Sequence, residues 1–482
     1  MIQIVRRRSL VLLLPLLTVI GVAGASTPII WEQATQGEFQ NGDPTNISIA
    51  SQGYLHLAPA VESLFETSEP LLWCLAMDSR GNIFAGSGND GKLFKIDTAG
   101  QGTLFFDAEE LEIHSLAMDT SDNVYAATFP NGKIYRITSA GQSSVFFDPE
   151  TMTATGDDSD SDLYIWSLVI DSAGNLYAGT GEHGRVYKID SNGQAALLAQ
   201  TEEAHIVSLA IDPAGNLIAG TDPNGRIYRI SPSGELSVLY DSSYREIRAI
   251  LATPSGIIYA GAVNEPRGRS GRPASPPPTA QANRGGGTQQ GGVAVLEVTA
   301  PVTGAGQAAS SFRGGARSSG GMVYQIRPDG VVQEWWSSRE DENFALALQD
   351  DGTLLIGTGP RGIVYEVNGR RKSTTLVRLQ ESQITAFGRT ADNRITIASS
   401  NLGNVFQLSR NPVKEGTFES EVKDTGGASS WGQIRWDAQT PRGTGIRFYT
   451  RSGNTDTPDK TWSAWGGPYS RMTGEAIKSP TG

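Results

Sequence analysis

The stretch "LAIDPAGNLIAGTDPNGRIYRI" (Leu209–Ile230) recurs in close copies along the chain, and its reading decides the fold. Apolar and polar residues alternate in it with period 2 rather than 3.6, and glycine or asparagine interrupts the alternation every eight to ten residues or so. The copy reads as strand a over Val207–Ile211, a D-x-x-G-N turn, strand b over Leu217–Gly220, a turn at Asp222–Gly225, strand c over Arg226–Ile230 and strand d over Leu236–Tyr240. Four short antiparallel strands in about 40 residues make one blade of a β-propeller.

Further units occupy Leu75–Gly100, Leu116–Gly141, Leu168–Gly193, Leu346–Gly369 and Ala386–Ser409, and an interrupted one starts at Ile250. Their turns open at Asp78, Asp119, Asp171, Asp212, Thr253, Gln349 and Arg389, spaced by 41, 52, 41, 41, 96 and 40 residues. A lone blade cannot bury both faces, so the units must stack around an axis. The seventh lacks a fourth strand, whereas Ser63–Glu66 is an orphan strand ahead of the first unit. Pairing the two would close the ring and remove its exposed edges. The expectation is an all-β chain: a seven-bladed propeller over 62–410, closed by an N-terminal strand, with a small, incomplete β-sandwich over 411–482.

The D-x-x-G-N element has a structural reason. An Asx side chain caps backbone N–H groups of a tight turn, and Gly215 supplies a positive φ. Each copy brings one carboxylate, too few for a calcium site. The units "DSAGNLYAGTGEHGRVYKID" (Asp171–Asp190) and "DPAGNLIAGTDPNGRIYRIS" (Asp212–Ser231) resemble the NHL-like propeller superfamily, which includes the gluconolactonases, the streptogramin (virginiamycin B) lyases and the sensor propellers of two-component regulators. The resemblance implies the fold. It does not fix an activity, because the repeated positions belong to the scaffold.

Arg6, Arg7 and Arg8, an apolar run over Leu10–Val22 and Ala23-Gly24-Ala25 read as a signal peptide over 1–25, cleaved on export to the periplasm or beyond. The apolar run is too short to span a bilayer. Losing those three arginines takes the net charge from −12 to −15, which disfavours nucleic acid as a partner. The single cysteine, Cys74, lies in an apolar strand pattern and reads as core. The four histidines (His56, His114, His183, His205) show no metal-ligand spacing.

Residues 265–320 interrupt the fifth unit with a Pro/Gly/Arg-rich composition that predicts a disordered loop carrying one strand at Val293–Val298, and Thr153–Asp162 reads as a solvated acidic loop. Trp436, Trp462 and Trp465 read as core of the C-terminal module. That module is expected to be incomplete at Gly482, with the N-terminal extension (26–61), in particular Thr45–Pro59, folding back to supply strands.

Propellers usually bind at the mouth of the central channel, on the face of the b–c and d–a loops. The b–c loops contribute Asn89, Asp90, Phe129, Asn131, Glu182, His183, Asp222, Asn224 and Arg361. The starts of the a strands contribute Trp73, His114, Trp166, His205, Arg248 and Phe344. These positions differ between blades, as a ligand-reading surface requires. The channel-lining set is read as Cys74, Ser115, Ser167, Ser208, Ala249, Ala345 and Thr385, without acidic ligands, and neither His114 nor His205 has an evident carboxylate partner. The expected function is therefore an exported, monomeric, non-catalytic binding propeller for a peptide, protein or polysaccharide, with no cofactor and no metal site. The alternative is a lactonase, hydrolase or lyase with calcium or magnesium in the channel.

Overall fold

The computed structural model describes residues 30–149, 164–264, 320–390 and 392–480. The signal segment, the acidic loop and the insertion with its proposed strand lie outside the described residues, apart from Gly320.

Seven antiparallel blades of four strands each, one of them extended to a six-stranded sheet, follow one another in the order a-b-c-d. Their a strands are Leu72–Met77, Glu112–Met118, Ile165–Ile170, His205–Ile211, Glu246–Ala252, Glu342–Leu348 and Gln383–Arg389. Each a strand contacts the a strand of the next blade, and the seventh contacts the first, so the a strands form a closed inner ring. The closing strand is longer than the sequence shows: Pro59–Glu66 runs antiparallel to Asn404–Pro412, with Val405 opposite Phe65. Val61, at the start of that strand, packs on the core of blades 6 and 7, which extends the pairing beyond Ser63.

The D-x-x-G-N turns are built as their chemistry requires. Ala214 N and Asn216 N each donate to Asp212 Oδ1 at 2.9 Å, and Asn216 Nδ2 donates to Oδ2 at 2.9 Å. Asp78, Asp119 and Asp171 repeat the pattern. In blade 7 the turn opens at Thr390, not Arg389: Asn393 N donates to Thr390 O, and Thr390 Oγ1 accepts from Arg394 N. A hydroxyl has replaced the aspartate, which hides the register by one residue. The same slip moves the seventh core position from Thr385 to Ala386.

Apolar clusters fill the space between neighbouring blades, and one residue of each a strand makes the innermost joint. Leu72, Ile113, Ile165, Ile206, Ile247, Asn343 and Ile384 occupy the same place on successive a strands, all at 2% exposure or less. They wedge against the strand b residue Gly86, Gly179, Gly220, Gly261 or Gly357 of the preceding blade, or against Ala127 or Ala398 where an alanine takes the glycine's place. An added Cβ at Gly220 would lie 2.6 Å from Ile247 Cγ2 and 2.7 Å from its carbonyl oxygen. That close approach is why the repeat reads A-G at this point. The residues expected to line the channel serve the same joint: Ser208 Oγ donates to Ile247 O at 2.8 Å and Cys74 Sγ to Ile113 O at 3.4 Å. Thr385 Oγ1 donates to Leu72 O, stapling blade 7 to blade 1.

The N-terminal extension does not serve the C-terminal module in the way expected. Ile47–Ile49 and Leu55–Leu57 form a hairpin that adds to strand d of blade 6 (Lys372–Arg378), making a six-stranded sheet. Asp43–Thr45 pairs with that module at Thr417–Glu419, and Phe39 meets Phe418 edge-on beside it. The hairpin buries Ile49 and covers a ladder edge that would otherwise face water. The appended module itself holds two-stranded ladders, Gln433–Ile434 with Glu475–Ala476 and Phe448–Thr450 with Gly466–Tyr469. Trp436 packs on Phe448 with ring centroids 4.4 Å apart. Trp462 and the half-exposed Trp465 lie instead against the Arg451 guanidinium.

Replacing Gly220 with alanine is expected to destabilise the protein by about 1–3 kcal/mol through overpacking of the blade 4–5 joint. Urea unfolding measures it, and an unchanged midpoint would contradict the wedge.

Candidate functional site

Immediately after each wedge the a strand carries a β-bulge. Leu72 pairs with Ser87 and Cys74 with Gly86, so Trp73 is the extra residue of the ladder register. The same break sits at His114, Trp166, Val207, Arg248, Phe344 and Thr385. A bulge re-aims the side chain of the extra residue. Here it sets one extra residue per blade at the d–a end of the inner strands, and in blade 7 that residue, Thr385, is buried against Leu72 O. Five of the six residues assigned to the strand starts from sequence are these bulged residues. His205 is not: it lies two residues before its bulge, and Val207 takes that position.

Around blades 1–4 the rings touch in sequence. Trp73 stacks on His114 with centroids 5.3 Å apart and planes 18° apart. Trp166 stands nearly perpendicular to His114 at 5.1 Å and to His205 at 5.9 Å. Phe129, at the end of strand b, stacks on Tyr164 at 5.0 Å and meets His114 edge-on at 5.8 Å. Tyr164 was not anticipated; its signal is its place two residues before a bulge, the position Glu112 and His205 hold in their blades. Glycine seats the indoles: a Cβ at Gly88 would meet Trp73 Nε1, and one at Gly181 would meet Trp166 Nε1.

The other half of the mouth is charged. Arg248 donates to Glu246 at 2.9 and 3.2 Å and to Glu342 at 3.3 Å, and its guanidinium lies 4.6 Å from the Phe344 ring centroid. Between the two halves, Arg245 donates to Asp222 Oδ1 at 2.9 Å. Burial raises the Asp222 carboxyl above the usual aspartate range. Burial likewise pushes the His205 imidazole below the usual histidine range, against the opposing pull of Asp222 and Glu182, and His205 Nδ1 accepts from Glu182 N at 3.3 Å.

One expectation fails here. His114 has a carboxylate partner: Glu112 Oε2 lies 2.8 Å from Nε2. The bulge leaves these residues, two apart, side by side on the mouth.

The b–c loop tips are less uniform. Asn89, Asp90, Asn131 and Glu182 are exposed, while His183 and Asn224 are half-buried. Arg361 is fixed by the structure, donating to the fully buried Asp341 at 2.9 and 2.6 Å, and Tyr365 donates to the same carboxylate. Lys92 with buried Glu69, Lys133 with buried Glu110 and Arg226 with buried Glu203 tie other d–a loops to their c strands. Among the described residues no three His, Cys, Asp or Glu side chains gather as a metal site would need, and no helix is long and apolar enough to cross a membrane.

No protein-family model and no curated protein sequence matches the chain. The fold is similar to that of a streptogramin B lyase, at TM-score 0.53 and 10% identity over 73% of this chain and 98% of that one. It is also similar to the extracellular domain of BT4673 from B. thetaiotaomicron, at TM-score 0.50 and 15% identity over 78% of this chain and 43% of that one. YCF48 bound to D1 peptide matches at TM-score 0.50 and 10% identity over 74% and 96%. At such identities the likeness establishes the seven-bladed propeller fold.

The depressed His205 value carries a sign. The unfolded imidazole binds its proton at higher pH than the folded one, so stability falls as pH drops below about 6.5 toward the folded value. The thermal midpoint is expected to decrease from pH 7 to pH 5, and less so in His205→Gln. Equal decreases in the two proteins would contradict the assignment.

Proposed function

We propose that the protein is an exported, non-catalytic binding propeller that recognises an extended peptide or a polymer at the channel mouth, acting as a monomer and without nucleic acid. The observation that carries this reading is the contiguous aromatic surface from Trp73 to His205. A partly buried run of aromatic rings supplies contact area at low entropic cost, and such surfaces mark recognition sites. YCF48, a similarly folded propeller, was solved with a peptide bound, which supports the same use of the fold. Export rests on the sequence over 1–25, and the remaining loop positions assigned above form the rim of the proposed site.

A second reading has one observation in its favour. The Glu112–His114 pair is the arrangement of a general base and its orienting carboxylate, and it would suit a lyase or hydrolase, with calcium or magnesium supplying Lewis acidity.

Two measurements separate the readings. On an array of immobilised 15-residue peptides, the binding propeller is expected to retain a subset, and Trp73→Ala/Trp166→Ala to lose it; retention of none would count against peptide recognition. In a thermal-unfolding titration, micromolar calcium or magnesium is expected to leave the midpoint unchanged, whereas a rise of several degrees or so would favour the enzyme.

A further inference from the structure

The mouth contains its own template for a ligand. In blades 5 and 6 a guanidinium, Arg248, lies on the Phe344 ring between the carboxylates of Glu246 and Glu342. Blades 2 and 3 present a related set at the same positions, with one carboxylate where blades 5 and 6 have two and His114 where they have Arg248. Glu112 and Tyr164 stand two residues before the bulges, as Glu246 and Glu342 do, and His114 and Trp166 fill the bulges, as Arg248 and Phe344 do. At these positions blades 2 and 3 hold no lysine or arginine, and His114 stands where Arg248 does.

Charge points the same way. Glu112, Glu182, Asp222, Glu246 and Glu342 surround the mouth against two guanidiniums, Arg245 and Arg248, and both guanidiniums are already paired. Aromatic faces carry the negative part of the ring quadrupole, and here Trp166 stands perpendicular to His114 and His205 with centroids 5.1 and 5.9 Å away. A cation there meets π-faces and a rim on which five carboxylates face two guanidiniums, whereas an anion meets repulsion from both.

Resting on the binding reading above, we propose that the aromatic half of the mouth recognises cationic side chains, arginine or lysine, of an extended peptide, with Trp166 and His114 as the π-walls and Glu112 and Glu182 as the acidic rim. Selectivity then comes from charge and a flat guanidinium or ammonium contact, as the chain itself shows at Arg248.

The test titrates three decapeptides, (Arg-Gly)5, (citrulline-Gly)5 and (Glu-Gly)5, into the full chain at fixed ionic strength, followed by calorimetry. Citrulline keeps the shape of arginine and removes the charge. (Arg-Gly)5 is expected to bind saturably, with citrulline weakening it about tenfold or more and (Glu-Gly)5 not binding. Trp166→Ala should cost about tenfold, and Glu182→Gln, an exposed substitution that leaves the fold intact, a few-fold. Tetramethylammonium should displace the peptide better than sodium at equal ionic strength.

Equal affinity for arginine and citrulline peptides would overturn the proposal while leaving peptide binding in place. Binding of (Arg-Gly)5 that survives both substitutions would place it elsewhere and overturn the proposal as well. Binding of none of the three, with the peptide array also empty, would bring down both readings.

Discussion

The structure depends on one joint repeated around the axis: a fully buried side chain of strand a set against a strand b residue with no room for a larger one. Burying such an isoleucine is worth about 1.5–3 kcal/mol, and the ring needs every joint because no blade can cover its own faces. Blade 5–6 is the variation. There Asn343 is the wedge, and its amide donates to Ala262 O and Met322 O, the ends of strands b and c between which the long insertion leaves and returns. A polar wedge thus secures the one blade whose b–c connection is not a tight turn.

The joint also aims the functional surface. Because the extra residue of the bulge follows the wedge directly, closing the ring sets one extra residue per blade at the d–a end of the inner strands. Scaffold and site are therefore one residue apart, and the site position differs from blade to blade while the wedge stays buried in every one. Many loop charges, by contrast, are spent on the fold: Glu69, Glu110, Glu203 and Asp341 are buried and paired with strand c or loop cations. This is why Arg361, attractive as a loop-tip cation, holds its loop in place.

The repeat, its turns and the closure by the N-terminal strand were legible in the residues because period-2 alternation and D-x-x-G-N turns are local signals. The bulges were not, since one extra residue in a strand leaves the alternation plausible on either side. That hid the meaning of Glu112-Ile113-His114 and the role of Tyr164, and it made Thr385 look like its neighbours' equivalent. The destination of the Ile47–Leu57 hairpin was equally hidden, because it depends on which blade offers an open edge to a chain arriving from the N-terminus. Bulged aromatic positions were nevertheless found, since their spacing of 41 residues between Trp73 and His114 repeats the period of the turns.

The most direct test of the coupling between joint and mouth is the ¹⁹F spectrum of 5-fluorotryptophan-labelled protein carrying Ile206→Ala. Ile206 packs against Gly179, the ladder partner of Ser167 beside the Trp166 bulge, and is remote from Trp73 in blade 1. The account predicts that the Trp166 resonance shifts and broadens while that of Trp73 stays in place. A protein of reduced stability whose Trp166 signal is unmoved would show that ring closure and the recognition surface are independent, and would contradict it.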